Sequence, residues 1–98
     1  MAYRIEYDPE AEADMRALRP VHRPLARDGI ERHLRHDAEV DSGARKRLRP
    51  NPVAQWRLRL DPLRVYYDVE RGTVWIKAVY VKERARLYRR GAEVRLDE

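Results

Sequence analysis

The chain has 98 residues, of which 43% are hydrophobic and 40% charged, with a formal net charge of +5. This length suits one domain around one modest core and leaves little area for a deep substrate cavity, so any working surface is expected to be open. The absence of cysteine excludes disulfides, thiol nucleophiles and thiolate zinc sites, while the lack of a membrane-length apolar run or a signal-peptide core leads us to expect a cytoplasmic protein.

Tyr3-Arg4-Ile5-Glu6-Tyr7 alternates and predicts a short strand. Asp8-Pro9 then starts a helix, with Asp8 able to cap it and Pro9 at its first position. Glu10, Glu12 and Asp14 suit the positive end of the helix dipole, and Ala11, Met15 and Leu18 form one apolar stripe. Arg19-Pro20 stops this helix. A second helix is expected from Pro20 or Arg23 to His36, with Ala26, Ile30 and Leu34 on its apolar face. Pro24 is tolerable only in the first turn, and Gly29 weakens the helix by roughly 1 kcal/mol relative to alanine.

Asp37–Gly43 reads as a loop, and Arg45–Arg49 as a short turn that places Leu48 inward. Trp56-Arg57-Leu58-Arg59-Leu60 alternates strictly, with the two arginines on one face. Asp61-Pro62 turns the chain into Leu63–Val69, where Arg64, Tyr66 and Asp68 share a face. Glu70-Arg71-Gly72 turns it again into Thr73–Val81, which is apolar on both sides apart from Lys77 and therefore suits a central strand. Beyond Lys82 the period of two is lost. Glu83–Arg90 is expected to be a short C-terminal helix, ended by Gly91 and followed by a tail of weak strand character. The expected architecture is α+β in the order β-α-α-β-β-β: an N-terminal strand, an α-helical hairpin, then an antiparallel sheet with the hairpin on one face.

Charge is segregated along the chain. Glu6, Asp8, Glu10, Glu12 and Asp14 stand against Arg4 at the N-terminus, whereas Arg45, Lys46, Arg47, Arg49, Arg57, Arg59 and Arg64 stand against Asp61 further on. Such a field suits a polyanion as well as an ordinary solvated surface. Arg57, Arg59 and Arg64 are expected on one face of a two-stranded ribbon, where they repel unless offset. Asp61 and Asp68 offset them in part, and a phosphate chain does so better. Lys82 at a strand end and Tyr88 beyond it are candidates for proton transfer or base stacking, against plain strand-end and packing roles. With no phenylalanine in the chain, Trp56, Trp75, Tyr66, Tyr67 and Tyr80 are expected in the core or half-buried. His33 and His36 lie near Asp37, but no third ligand stands at convincing spacing, so no metal site is expected.

The stretches "WRLRLDPLRVYYDVE" and "VWIKAVYVKERARLY", with "RKRLR" before them and the opening strand and helix, resemble the RelE/ParE superfamily of toxins from type II toxin–antitoxin modules. The resemblance covers nearly the whole chain, as a single domain, and "LRVYYDVE" is its most specific piece. In the RelE branch it implies a ribosome-dependent, metal-independent endoribonuclease that cuts mRNA and needs no cofactor. Carried over by position, Arg57 and Arg59 match two bases of the first core strand, both lysines in the best-known member. Arg64 matches the arginine of the next strand, Lys82 falls where an arginine is usual, and Tyr88 matches the C-terminal tyrosine. These five are the implied catalytic set, with Arg45, Lys46, Arg47, Arg84 and Arg86 as flanking RNA contacts. The turn after Leu60 is shorter than in that member. The implied partners are an acidic antitoxin, the ribosome and mRNA, with operator DNA bound only through the toxin–antitoxin complex. The ParE branch resembles the chain as well and implies inhibition of DNA gyrase by binding; an inactive structural paralogue is the third reading.

Overall fold

The computed structural model describes residues 2–82 and the backbone of Arg86–Arg89 and Ala92–Arg95. Strand β1 (Arg4–Tyr7) is followed by helices α1 (Pro9–Ala17) and α2 (His22–Leu34) and strands β2 (Arg45–Arg47), β3 (Trp56–Leu60), β4 (Leu63–Glu70) and β5 (Thr73–Val81). These strands form one sheet in the order β1-β5-β4-β3-β2. The helical hairpin packs on one face of it. Ala11, Met15 and Leu18 of the first helical segment and Ala26, Ile30 and Leu34 of the second meet Leu58, Leu63, Val65, Tyr67, Val74 and Ile76 of the sheet in one buried cluster.

Pro9 occupies the start of α1, and Glu10 and Glu12 lie in its first turn. Asp8 stands at the cap position in extended conformation, but its side chain makes no capping hydrogen bond. Its carboxylate instead pairs with Lys77 Nζ at 2.6 Å. Lys77 owes its place to a bulge in the β4–β5 ladder: Tyr66 faces Ala78 and Tyr67 faces Ile76, so Lys77 has no partner across the pair. A bulge therefore explains the one charged residue in an otherwise apolar interior strand. Gly29, a weak spot when α2 is considered alone, is a close-approach point in the fold. A Cβ there would lie 2.5 Å from Leu60 Cδ1, so glycine lets α2 sit tightly on β3.

Four expectations change. The sheet is mixed, because β1 pairs parallel to β5, from Arg4↔Thr73 to Tyr7↔Ile76. Alternation in a short strand carries no information on the direction of its partner, and here the helical hairpin and the β2–β4 meander supply the long connection that a parallel pair needs. Arg45–Arg47 is a strand and not a turn, paired with β3 from Arg45↔Leu58 to Arg47↔Trp56. Three consecutive bases show no period of two, so this pairing is set by β3. Leu48 is partly buried, but against Val53, Ala54, Tyr66, Ala78 and Tyr80 on the face away from the helices. Finally, within the stretch expected to be a C-terminal helix, Arg86–Arg89 forms strand β6, antiparallel to β7 (Ala92–Arg95) in a separate two-stranded sheet. A four-residue run that finds a strand partner satisfies its backbone there, whereas a helix this short leaves most of its end groups unpaired. Glu83–Ala85 and Arg90 lie outside the described residues.

Candidate functional site

The turn between β3 and β4 sets the site. Leu60 faces Leu63, so the hairpin is tight around Asp61 and Pro62, and Arg59 is brought directly opposite Arg64. Arg64 faces Tyr80 on its other side. One step along the sheet a second row runs Lys46, Arg57, Tyr66 and Ala78 across β2, β3, β4 and β5. Two rows of basic and tyrosine residues thus cross the sheet on the face away from the helices, as strand alternation requires.

Like charges directly opposite destabilise a strand pair unless something offsets them. Asp61 does so here. Its Oδ1 accepts a hydrogen bond from Arg64 Nη1 at 2.8 Å, and its Oδ2 lies 3.9 Å from Arg59 Nε. Arg64 Nη1 also donates to the Leu63 carbonyl at 2.9 Å, which fixes the guanidinium from a second side. The Arg64 hydrogen bond holds the Asp61 carboxyl below its usual range, with Arg59 and Lys82 adding to the effect. Lys82 is exposed, and its backbone N–H donates to the Pro62 carbonyl at 2.9 Å, which ties the end of β5 to the turn. The other acid expected to offset the arginines is committed elsewhere: Asp68 Oδ1 accepts from the backbone N–H of Gln55 at 2.7 Å.

Burial differs sharply within the cluster. Arg57 is 8% exposed and Arg64 4%, whereas the Asp61 side chain is 71% exposed. Arginine tolerates such burial because its stem is apolar and its fork stays charged. Between and beside the arginines, Tyr66 and Tyr80 stack with ring centroids 5.4 Å apart and planes 4° from parallel, and Tyr80 Oη donates to Tyr66 Oη at 2.8 Å. Both rings are buried, as expected for core or half-buried aromatics. Their place beside the arginines could be read from position: Tyr66 alternates in step with Arg64, and Tyr80 lies two residues before Lys82.

Of the expected site residues, Arg59, Arg64 and Lys82 are therefore brought together around one turn, with Arg57 on the same sheet face one row away. Lys46 joins them through its pairing with Arg57. Arg45 and Arg47 leave β2 on the helix side. Arg45 Nε donates to the Val40 carbonyl at 2.9 Å and its Nη1 to the His33 carbonyl at 3.3 Å, while the Arg47 guanidinium lies 5.6 Å from the centre of the Trp56 ring. Tyr88 and Arg86 lie on β6, where Tyr88 pairs with Glu93 and Arg86 with Arg95; their side chains, and Arg84 altogether, are outside the described residues. Among the described residues no three His, Asp or Glu side chains come together as a metal site, and no helix is long and apolar enough to cross a membrane.

No protein-family model matches the chain, and no curated protein matches it in sequence. Solved structures do match in fold. A chain of the toxin–antitoxin complex RelBE2 from Mycobacterium tuberculosis superposes with a TM-score of 0.72 at 19% identity, over 83% of this chain and 99% of that one. A chain of the archaeal RelE–RelB complex from Pyrococcus horikoshii OT3 gives 0.66 at 18% identity, over 87% and 100%. Two helices on a five-stranded mixed sheet thus constitute a RelE-like α+β fold.

Proposed function

We propose that the chain is the toxin of a type II toxin–antitoxin module and that it cuts mRNA held in the ribosome. The observation that carries this reading is the placement of Arg57, Arg59 and Arg64 on one sheet face, with Lys82 beside the Asp61 turn. The fold shared with chains of two toxin–antitoxin complexes supports the module and an acidic antitoxin as partner. The net charge of +5 suits both that partner and RNA.

In this mechanism the RNA 2′-hydroxyl attacks the adjacent phosphorus, and the 5′-oxygen of the next nucleotide leaves. Charge builds on the phosphoryl oxygens, and fixed guanidiniums aimed at that charge lower the barrier. Arg64 is held for this task by the Leu63 carbonyl and the Asp61 carboxylate. Arg57 and Arg59 flank it. Lys82 assists deprotonation of the hydroxyl, and Tyr88 orients the base or protonates the leaving oxygen. No histidine serves as general base, so attack depends on a substrate already aligned, which is the contribution of the ribosome.

Primer extension on mRNA undergoing translation tests this directly. Arg64→Ala is expected to lower cutting by about 100-fold or more, on the scale of removing one oxyanion donor, and Tyr88→Phe to impair it severely. Full cutting by both variants would sink the assignment. A gyrase supercoiling assay on the same preparations separates this reading from a ParE-type inhibitor.

A further inference from the structure

Asp61 meets its neighbours as a phosphate would. Its two oxygens face two different guanidiniums, Oδ1 to Arg64 Nη1 at 2.8 Å and Oδ2 to Arg59 Nε at 3.9 Å. A phosphodiester presents the same feature, two non-bridging oxygens sharing one negative charge, and guanidiniums bind both groups through parallel N–H donors. The layering matters as well. The carboxylate is on the solvent side, 71% exposed, and the Arg64 side chain beneath it is 5% exposed. An anion that takes a hydrogen bond from Arg64 Nη1 competes with the carboxylate for that donor.

We infer that Asp61 determines substrate selectivity as an internal stand-in for phosphate, which the RNA backbone must displace to engage Arg59 and Arg64. This inference rests on the RNA-cutting reading above. Displacement exchanges one charge-assisted contact for another, so a loosely held phosphate gains little by entering. A strand fixed by other contacts needs only a small surplus to replace the carboxylate. The exposed Asp61 side chain has room to rotate away from the turn, and its negative charge also opposes the approach of any free polyanion. The consequence is a site that is poor at capturing free RNA and competent once RNA is held against it.

The test is binding of a short fluorescein-labelled single-stranded oligoribonucleotide, followed by anisotropy at fixed salt, to the full chain and to Asp61→Asn, Asp61→Ser, Arg64→Ala and Asp61→Ser with Arg64→Ala combined. The asparagine keeps an acceptor and loses the charge; the serine loses both the charge and the reach. Both single Asp61 variants are expected to bind the oligonucleotide about three- to fivefold more tightly, the range of one partly exposed ion pair. Arg64→Ala is expected to weaken binding, and the gain from Asp61→Ser is expected to disappear in the Arg64→Ala background. Unchanged or weaker binding by both Asp61 variants, with Arg64→Ala still weak, overturns the inference and leaves Asp61 as a residue that positions Arg64. Unchanged binding by Arg64→Ala overturns it too, and removes the RNA site from this face.

Discussion

Arg45 on β2 and Arg57 on β3 are one register step apart, and their side chains leave the sheet on opposite faces. Arg45 donates to the Val40 and His33 carbonyls and so pins the Asp37–Gly43 loop and the end of α2 to the sheet edge. Arg57 stands in a row of basic and tyrosine side chains with Lys46 and Tyr66. On the helix side, charge is consumed by backbone carbonyls and rings. On the other side, Arg59 and Arg64 share the exposed acid Asp61. Residue type and local sequence do not separate the two uses; the face does. A basic run such as Arg45-Lys46-Arg47 is thus divided by the pleat, with Arg45 and Arg47 on the helix side and Lys46 on the other.

This contrast can be broken by substitution. The largest expected effect is on the helix side, where Leu58 is fully buried. Leu58→Ala should cost about 3 kcal/mol, read from urea unfolding. Arg45→Ala should follow at roughly 1–2 kcal/mol, because its carbonyl partners lose a charged donor, with RNA binding per folded molecule unchanged. Arg59→Ala should show the opposite pattern. Its stability should stay within about 0.5 kcal/mol of the parent, while the salt dependence of single-stranded RNA binding should flatten by about 0.7 in logarithmic slope. Equal effects of Arg45→Ala and Arg59→Ala on RNA binding would erase the distinction between the faces.

Acidification gives a subtler check. Burial first, then the charges of Arg32 and Arg45, hold the His33 pKa below its usual value. The folded state therefore resists protonation of His33 more than the unfolded state does. Stability from this residue is fully present above about pH 6.5 and is lost as pH falls from there through the lowered folded value. A plot of urea midpoint against pH should slope downward on acidification for the parent and slope less for His33→Gln. The smallest effect is expected at the β4–β5 turn, where Arg71 has φ 49° and Gly72 φ 77°. Arg71→Gly relieves a left-handed arginine but frees the unfolded chain, for a net gain of roughly 0.5 kcal/mol in thermal unfolding.

What the sequence revealed and what it concealed follow from range. Leu58 and Leu60, and Leu63, Val65 and Tyr67, alternate strictly because each strand has one face on the helices, so their faces and the shared side of Arg57, Arg59 and Arg64 were legible. The helix stripes were legible for the same reason, although α2 ends at Leu34 and not at His36. The features that stayed hidden depend on partners distant in sequence. Asp8 reads as a cap until Lys77 is placed beside it. Gly29 reads as a flaw until Leu60 is placed above it. Arg45–Arg47 becomes a strand only against β3, and Arg86–Arg89 only against β7. Within the site, alternation placed the arginines, but choosing Asp61 over Asp68 as their counter-charge required the turn itself.

The parallel pairing of β1 with β5 has a consequence for how the chain is made. Its first contact joins Arg4 to Thr73, a separation of 69 residues (73 − 4), whereas the β3–β4 hairpin closes between Leu60 and Leu63. Local pairs form early and distant ones late. A chain emerging from the ribosome can therefore bring Arg59 opposite Arg64 before β1 has any strand to lie against. Only the synthesis of β5 gives both β1 and β4 their shared neighbour and completes the sheet under the helices. A chain cut short before Thr73 should keep the hairpin and lose the platform beneath it. On this ordering, the charged turn is made first and is rigidly mounted last.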